Sequence, residues 1–215
     1  MEIGTMLETM GSGMLKTIGI FFLTLIGSLP LGVGIMLLRT SKNKVIKNIT
    51  KAFIAVIRGT PLMLQLLVWY FGPYYLFEWS IRGWRFPGLI IGFVVNYACY
   101  FAEIYRGGIE SMSVGQYEAA EVLGYTKSQT FFRIILPQVF KRILPSITNE
   151  VITLVKDTSL AYTLAYAEVF SIAKQISASQ TSFMPFLIAG IFYFIANYVV
   201  AFAMERIEKA LKYYN

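Results

Sequence analysis

Five stretches of apolar residues, each long enough to cross a lipid bilayer, dominate this 215-residue chain. Hydrophobic residues make up 56% of the sequence and charged residues 14%, whereas a soluble domain carries roughly 25% charged residues. An α-helix needs about 20 residues to cross the hydrocarbon core. We therefore predict an all-α, polytopic membrane protein with one transmembrane domain over residues 1–215. The predicted spans are residues 14–38, 52–72, 86–105, 138–160 and 184–204.

Three of these segments contain residues that disturb a simple hydrophobic helix. The first is interrupted by Pro30, but no small-residue cleavage site follows its long apolar run, so we interpret it as a retained span rather than a secretory signal. Arg58 lies inside the second span and Glu150 inside the fourth. Pro61 follows Arg58 and Gly59, and a proline deletes a backbone hydrogen bond, so we predict a kink in the second span.

Lysine and arginine are distributed unequally between the two sets of loops. Thirteen of these cations fall on one side and four on the other. The positive-inside rule then predicts a cytoplasmic loop over residues 110–137, a cytoplasmic C-terminus and an external N-terminus. These basic loops explain the net charge of +7, and we expect no nucleic-acid partner. The thirteen cations are Arg39, Lys42, Lys44, Lys47, Lys51, Arg106, Lys127, Arg133, Lys141, Arg142, Arg206, Lys209 and Lys212.

Polar residues follow one face of the fourth predicted span. At 100° per residue, its polar side chains fall within a sector of roughly 100°, while isoleucine, valine and leucine cover the remainder. A charge at the centre of a bilayer costs at least about 2.5–3.5 kcal/mol, so such residues normally face a wet cavity or a partner. The polar set is Ser146, Asn149, Glu150, Thr153 and Asp157.

The third predicted span carries a similar face, so two adjacent helices could line one passage for a solute. The candidate substrate-binding residues are Glu150, Asn96, Tyr100, Glu103, Thr153 and Asp157.

Each candidate also has a structural interpretation. The carboxylates could pair with Arg58, Arg106 or Lys156 to hold helices together. Asn96 and Tyr100 could form hydrogen bonds between helices. Asp157 could mark a polar helix end at the outer surface.

A polar segment between the third and fourth spans reads EAAEVLGYTKSQTFFRIILP. Gly124 can end a short helix because glycine readily takes the left-handed conformation. Pro137 suits the first turn of a helix, where its missing N–H is not needed. The pattern predicts a helix, a tight turn and a second helix at the membrane face. The small residues Ala119 and Ala120 would allow another protein to approach closely.

This segment resembles the signature loop of bacterial ABC-importer permease subunits. In both, EAA is followed after three residues by glycine, and then after nine residues by isoleucine, any residue and Leu-Pro. Other motifs resemble the polar amino-acid branch of that family, the histidine, glutamine and arginine permease type. The likeness runs from about Arg58 to about Ile176. Its further motifs are Arg58-Gly-Thr-Pro-Leu62 with Gln65, Ala102-Glu-Ile-Tyr-Arg-Gly-Gly108, and Lys156-Asp-Thr-Ser-Leu160.

The resemblance implies a type I ABC importer permease fold and a bacterial cytoplasmic membrane location. It implies a complex of two permease subunits, identical or different, with two cytoplasmic ATPases that bind ATP and Mg²⁺. An extracellular or periplasmic solute-binding protein would deliver the substrate. The residues Glu118, Ala119, Ala120 and Gly124 would lie on the coupling helix that fits a groove of the ATPase. The alternative for Glu118 is that it merely solvates an exposed helix.

The sequence lacks the motifs of an enzyme. It contains no G-x-x-x-x-G-K-[ST] phosphate loop, nucleophile elbow or zinc-ligand spacing, and it has no histidine. Its one cysteine, Cys99, excludes an intramolecular disulfide. We therefore expect no catalytic residue, metal or cofactor in this chain, and ATP hydrolysis on a separate polypeptide.

We interpret the chain as the permease subunit of an ATP-driven importer of polar amino acids. A carboxylate in the pathway favours a cationic substrate such as arginine, lysine or histidine. The alternatives are the same machinery carrying glutamine or another polar amino acid, and an ATP-independent secondary transporter. A membrane enzyme is disfavoured because no catalytic constellation is present.

Overall fold

A computed structural model describes residues 3–211 of the chain, and Lys212 lies outside this range. Within it the chain is helical and contains no β-strand. Seven longer helices are joined by short helical segments. In chain order the α-helices are α1 (Ile3–Arg39), α2 (Lys44–Gly59), α3 (Leu62–Phe77), α4 (Arg85–Glu110), α5 (Val114–Val122), α6 (Lys127–Gln129), α7 (Leu136–Asp157), α8 (Val169–Gln180) and α9 (Met184–Leu211), with a π-helical segment at Thr130–Ile135 and a 3-10 segment at Thr158–Leu164.

Three helices of the described chain are long and apolar enough to cross a membrane alone, namely α1, α4 and α9. The bent pair of α2 and α3 supplies a fourth if it forms a single span. α7 does not qualify by composition because its 22 residues include five charged ones, namely Lys141, Arg142, Glu150, Lys156 and Asp157. The count of five spans therefore stays a prediction.

The membrane helices extend beyond the predicted apolar limits. α1 begins at Ile3, α4 continues to Glu110 and α9 continues to Leu211, because backbone hydrogen bonding does not require apolar side chains. The expected interruption at Pro30 was wrong. α1 runs through this proline, since the other hydrogen bonds of a 37-residue helix remain.

The second predicted span, residues 52–72, falls on two helices rather than on one kinked helix. α2 and α3 meet at Thr60 and Pro61 with a bend of 112°. Thr60 has extended backbone angles (φ −118°, ψ 148°), as expected for a residue that precedes proline. A sharp break of this kind leaves carbonyl groups at the end of α2 without partners inside the helix.

The side chain of Gln65 satisfies two of the carbonyl groups at this break. Its Nε2 donates to the carbonyl oxygen of Ile57 at 2.7 Å and to that of Thr60 at 3.0 Å. Its Oε1 accepts a hydrogen bond from Asn96 Nδ2 of α4 at 3.0 Å. Both amides are buried. The break between α2 and α3 is therefore fixed to α4 by a closed set of hydrogen bonds, which we call the amide staple.

The main core lies where α4 packs against α1, α3 and α7. Phe93 and Phe101 of α4 and Leu154 of α7 are fully buried there. Close approach of α4 to α7 depends on Gly108, because a Cβ at this position would lie 2.2 Å from Ile143 Cγ2. The hydrophobic residues of α7 thus face the protein, which leaves its polar stripe on the other side.

A second internal anchor fixes the start of α8. The carboxylate of Glu168 is fully buried and caps the helix by accepting hydrogen bonds from the backbone N–H groups of Phe170 and Ser171. It also accepts a hydrogen bond from the Tyr193 hydroxyl of α9 at 2.7 Å. Burial raises the pKa of the Glu168 carboxyl, and these hydrogen bonds act in the opposite direction.

We predict that Gln65→Met destabilises the assembled protein. Methionine fills a similar volume but leaves two carbonyl oxygens and the Asn96 amide without partners, at about 1–3 kcal/mol for each unsatisfied group. The melting temperature of the purified protein in detergent should fall clearly. Gln175→Met, at an exposed position of α8, is the control and should leave the melting temperature nearly unchanged. Equal melting temperatures for both variants would contradict this role of Gln65.

Candidate functional site

The polar stripe of α7 lies on the accessible side of that helix. Ser146 and Asn149 are exposed, while Glu150, Thr153 and Asp157 are partly buried. On the opposite side, apolar residues of the same helix are buried in the core; they are Ile143, Ile147, Val151, Leu154 and Val155. The predicted division of α7 into a polar and an apolar face is confirmed.

A hydrogen bond joins the polar stripe of α7 to α4. The hydroxyl of Tyr97, a buried residue of α4, donates to Asp157 Oδ2 at 2.7 Å. The ring of Tyr97 also lies 6.5 Å from that of Tyr100, one turn further along α4. This contact brings the two predicted polar faces together and orients the carboxylate of Asp157.

The end of α2 completes the same site. The guanidinium of Arg58 lies over the ring of Tyr100, 4.9 Å from the centroid, which is within the range of a cation–π interaction. Arg58 and Asp157 both interact electrostatically with Glu150. We call this assembly the polar face, and it consists of Arg58, Tyr100, Glu150, Thr153 and Asp157.

Glu103 belongs to a different cluster. Its carboxylate forms ion pairs with Arg39 at 3.5 Å and with Arg106 at 2.7 Å, and Arg106 also pairs with Glu110. These contacts connect the end of α1 to the end of α4. Glu103 is therefore neutralised by two guanidinium groups. This agrees with the alternative in which Glu103 pairs with Arg106 to hold helices together.

Asn96 is also placed inside the protein rather than on an open surface. It is buried and donates to Gln65 in the amide staple. Of the six predicted substrate-binding residues, the structure brings four together on the polar face: Tyr100, Glu150, Thr153 and Asp157.

Two members of this region were not among the predicted site residues. Arg58 was treated as part of a kink, although a charge within an apolar segment was a signal for a functional position. Tyr97 gave no signal, because an aromatic residue in an apolar helix is usually part of the core. Among residues 3–211, no group of three histidine, cysteine, aspartate or glutamate side chains could hold a metal ion.

The EAA segment, residues 118–137, begins on α5, and the three residues of its EAA motif lie on that helix at the protein surface. Glu118 and Ala119 are exposed, and so are large apolar side chains such as Val122 at 87% and Leu123 at 73%. Ala120 differs, since it is 1% exposed. Its small side chain therefore permits close packing within the loop itself, whereas Ala119 is available to another protein.

The turn after α5 has the predicted conformation at Gly124. This glycine has a φ of +78°, and its N–H donates to the Glu121 carbonyl oxygen. The N–H of Tyr125 donates to the Ala120 carbonyl oxygen, which completes a Schellman motif. The prediction that Gly124 ends the short helix is confirmed.

The second helix of the loop begins earlier than predicted. Thr126 and Gln129 form a capping box at its start, and the helix is already established when it reaches Pro137. The π-helical segment Thr130–Ile135 ends two residues before this proline. The wider turn accommodates a residue that cannot donate a backbone hydrogen bond. Pro137 lies in the first turn of α7, as predicted, although α7 continues without a break from the helical segments that begin at Lys127.

Residues 28–213 match the protein family described as the binding-protein-dependent transport system inner membrane component. The chain belongs to this family. The match includes the polar face, the amide staple and the whole EAA segment, and it confirms the resemblance found in the motifs.

Curated relatives place the permease among amino-acid transport systems. It is 36% identical over 195 residues to the nopaline transport system permease protein of Agrobacterium fabrum, a match that covers 86% of this chain and 80% of the relative. It is 33% identical to the L-cystine permease protein of Bacillus subtilis, over 95% of this chain and 87% of the relative. The arginine transport system permease protein of the same organism is also 33% identical, and this match covers 93% of this chain and 91% of the relative.

Solved structures support the fold. The permease matches a chain from a crystal structure of an amino acid ABC transporter with histidines at a TM-score of 0.87 and 30% identity, covering 98% of this chain and 99% of the other. A methionine ABC transporter chain matches at a TM-score of 0.73 and 18% identity, over 99% of this chain and 100% of the other, which shows the fold alone.

These comparisons establish the coarse function. The protein is a permease subunit of an amino-acid ABC importer, with the all-α type I permease fold. It is a membrane protein, and its relatives are permease subunits rather than enzymes themselves. Membership of the family implies an ATPase, a binding protein and a second permease subunit as partners.

Proposed function

We propose that this permease carries basic amino acids such as arginine, lysine or histidine, and that the polar face forms part of its substrate site. The observation that supports this most strongly is the position of Glu150. It lies on the accessible stripe of α7, with a second carboxylate, Asp157, nearby on the same helix.

The charge of the polar face supports a cationic substrate. It contains two carboxylates, Glu150 and Asp157, and one guanidinium, Arg58. The exposed cation Lys156 interacts with Asp157, so the support for a cationic substrate comes from Glu150, which forms no salt bridge among the described residues and favours a cationic group of the ligand. The named substrates of the relatives include arginine but also cystine and glutamine. The same machinery carrying glutamine is therefore the second candidate.

The proposed transport cycle depends on partner proteins. Two ATPase subunits, each with ATP and Mg²⁺, would bind the exposed surface of α5 from the cytoplasm, through Glu118 and Ala119. Gly124 would set the turn that presents this surface. A second permease subunit, identical or different, would complete the pathway, and an external binding protein would deliver the amino acid.

We propose that the protein lies in a bacterial cytoplasmic membrane with α5 and the C-terminus inside and the N-terminus outside. The excess of lysine and arginine on the side of α5 supports this orientation. In this arrangement, the cluster of Arg39, Glu103 and Arg106 lies toward the cytoplasm.

We predict that Glu150→Gln impairs uptake of L-arginine by the reconstituted importer with its binding protein. A hydrogen bond to a charged group contributes about 1.5–3 kcal/mol, so KM should rise about tenfold or more. Assembly and basal ATP hydrolysis should remain. Glu8→Gln, at an exposed position of α1, is the matched control. Unchanged uptake of arginine, lysine and histidine would remove Glu150 from the pathway.

The two alanines of the EAA motif provide a second test. Ala119→Leu adds bulk to the exposed side of α5, so the permease should remain stable but no longer co-purify with the ATPase. Ala120→Leu adds the same bulk at a buried position, and overpacking typically costs about 1–3 kcal/mol. It should therefore lower the melting temperature of the isolated permease. Stable ATPase binding by the Ala119→Leu variant would contradict the proposed coupling surface.

A further inference from the structure

Arg58 forms no salt bridge within 4.0 Å in the part of the chain that the structure describes, although it interacts electrostatically with Glu103 and Glu150. The ion pairs found within 4.0 Å involve other residues, and Arg58 is exposed. Its identified contact is the cation–π interaction with Tyr100. A guanidinium has five N–H donors, and the ring occupies its face rather than those donors. Its hydrogen-bonding edge is thus open to a ligand.

The position of Arg58 is fixed by packing on both sides. On α2, Ile54 and Ile57 are buried against the small residues Ala98, Cys99 and Ala102 of α4. The amide staple holds the end of α2. In it, Gln65 accepts a hydrogen bond from Asn96 and donates one to the carbonyl oxygen of Ile57, the residue before Arg58. The backbone that carries the guanidinium is therefore held against α4, although the side chain itself is exposed.

The two signs of charge on the polar face are separated between helices. The cation is at the end of α2, whereas the carboxylates of Glu150 and Asp157 are on α7. Tyr100 of α4 supports the guanidinium, and Tyr97 of the same helix orients Asp157. An amino acid carries the complementary pattern, with a carboxylate at one end and one or two cationic groups at the other.

We propose that Arg58 is a specificity-determining residue that binds the α-carboxylate of the transported amino acid. This inference rests on the proposed function of the polar face. The guanidinium forms two parallel N–H···O hydrogen bonds to the carboxylate, a geometry that arginine provides and lysine does not. The carboxylates of α7 then receive the ammonium and cationic side-chain groups. The site distinguishes amino acids from amines of similar size.

Binding of L-arginine and L-argininamide to the permease–ATPase complex without the binding protein tests this role. The amide retains both cationic groups but lacks the carboxylate. Isothermal titration calorimetry of the wild-type complex should give a Kd for the amide at least tenfold above that for arginine. Arg58→Gln should weaken arginine binding about tenfold and bring the two Kd values within about twofold of each other. Preservation of the wild-type Kd ratio in this variant would overturn the proposal.

Arg206→Gln is the matched control. Arg206 lies on α9 with its guanidinium 4.8 Å from the Phe202 ring centroid, so it is also an arginine in a cation–π contact. The Arg206→Gln variant should retain the wild-type ratio of the Kd for L-argininamide to the Kd for L-arginine. Where Arg58→Gln fails to assemble, Arg58→Lys keeps the charge and should lower the ratio without abolishing it, whereas an unchanged ratio again counts against the proposal.

The same titration separates this inference from the proposed function. If the wild-type complex binds neither arginine nor its amide, the basic substrate class is wrong, and L-glutamine and L-glutaminamide replace the pair. A carboxylate preference for glutamine that Arg58→Gln abolishes would still support the role of Arg58. If the wild-type complex binds none of the four compounds, both proposals fail.

Discussion

The amide staple between Gln65 and Asn96 is the interaction on which the arrangement of this permease depends. In a bilayer, no water is available to satisfy exposed backbone groups, so a broken helix needs partners from the protein. Gln65 supplies them at the end of α2 and is itself held by α4. The bend of 112° is thereby compatible with membrane depth, and it brings Arg58 beside Tyr100.

The polar groups of the transmembrane region divide into two sets. Asn96, Gln65 and Glu103 bond to groups of the same chain, and they connect helices. Glu150 and Arg58 have no such direct bond among the described residues and lie on an accessible face. Glu150 and Arg58 can therefore respond to a ligand without breaking a hydrogen bond between helices, whereas Asp157 belongs to both sets because it also accepts a hydrogen bond from Tyr97 of α4.

Much of this could be predicted from the sequence, because periodicity and turn chemistry are local. The polar stripe of α7 and the left-handed Gly124 follow from spacing and residue type. For Asn96 and Glu103 the sequence left substrate binding and helix pairing both open, because Gln65 and Arg39 are 31 and 64 residues away in the chain, although Arg106 lies only three residues from Glu103. The sharp bend at Pro61 depends on Gln65, which is close in the chain, but the orientation of Gln65 depends on Asn96 of α4.

The central claim is that the polar stripe of α7 faces water within the membrane. Reaction of a water-soluble maleimide with Thr153→Cys tests it most directly, in the assembled complex and with the buried native thiol removed by Cys99→Ser. Val199→Cys, on an exposed apolar face of α9, reports the rate at a lipid-facing site. The account predicts rapid labelling at residue 153, slowed by L-arginine. Labelling at 153 no faster than at 199 would contradict it.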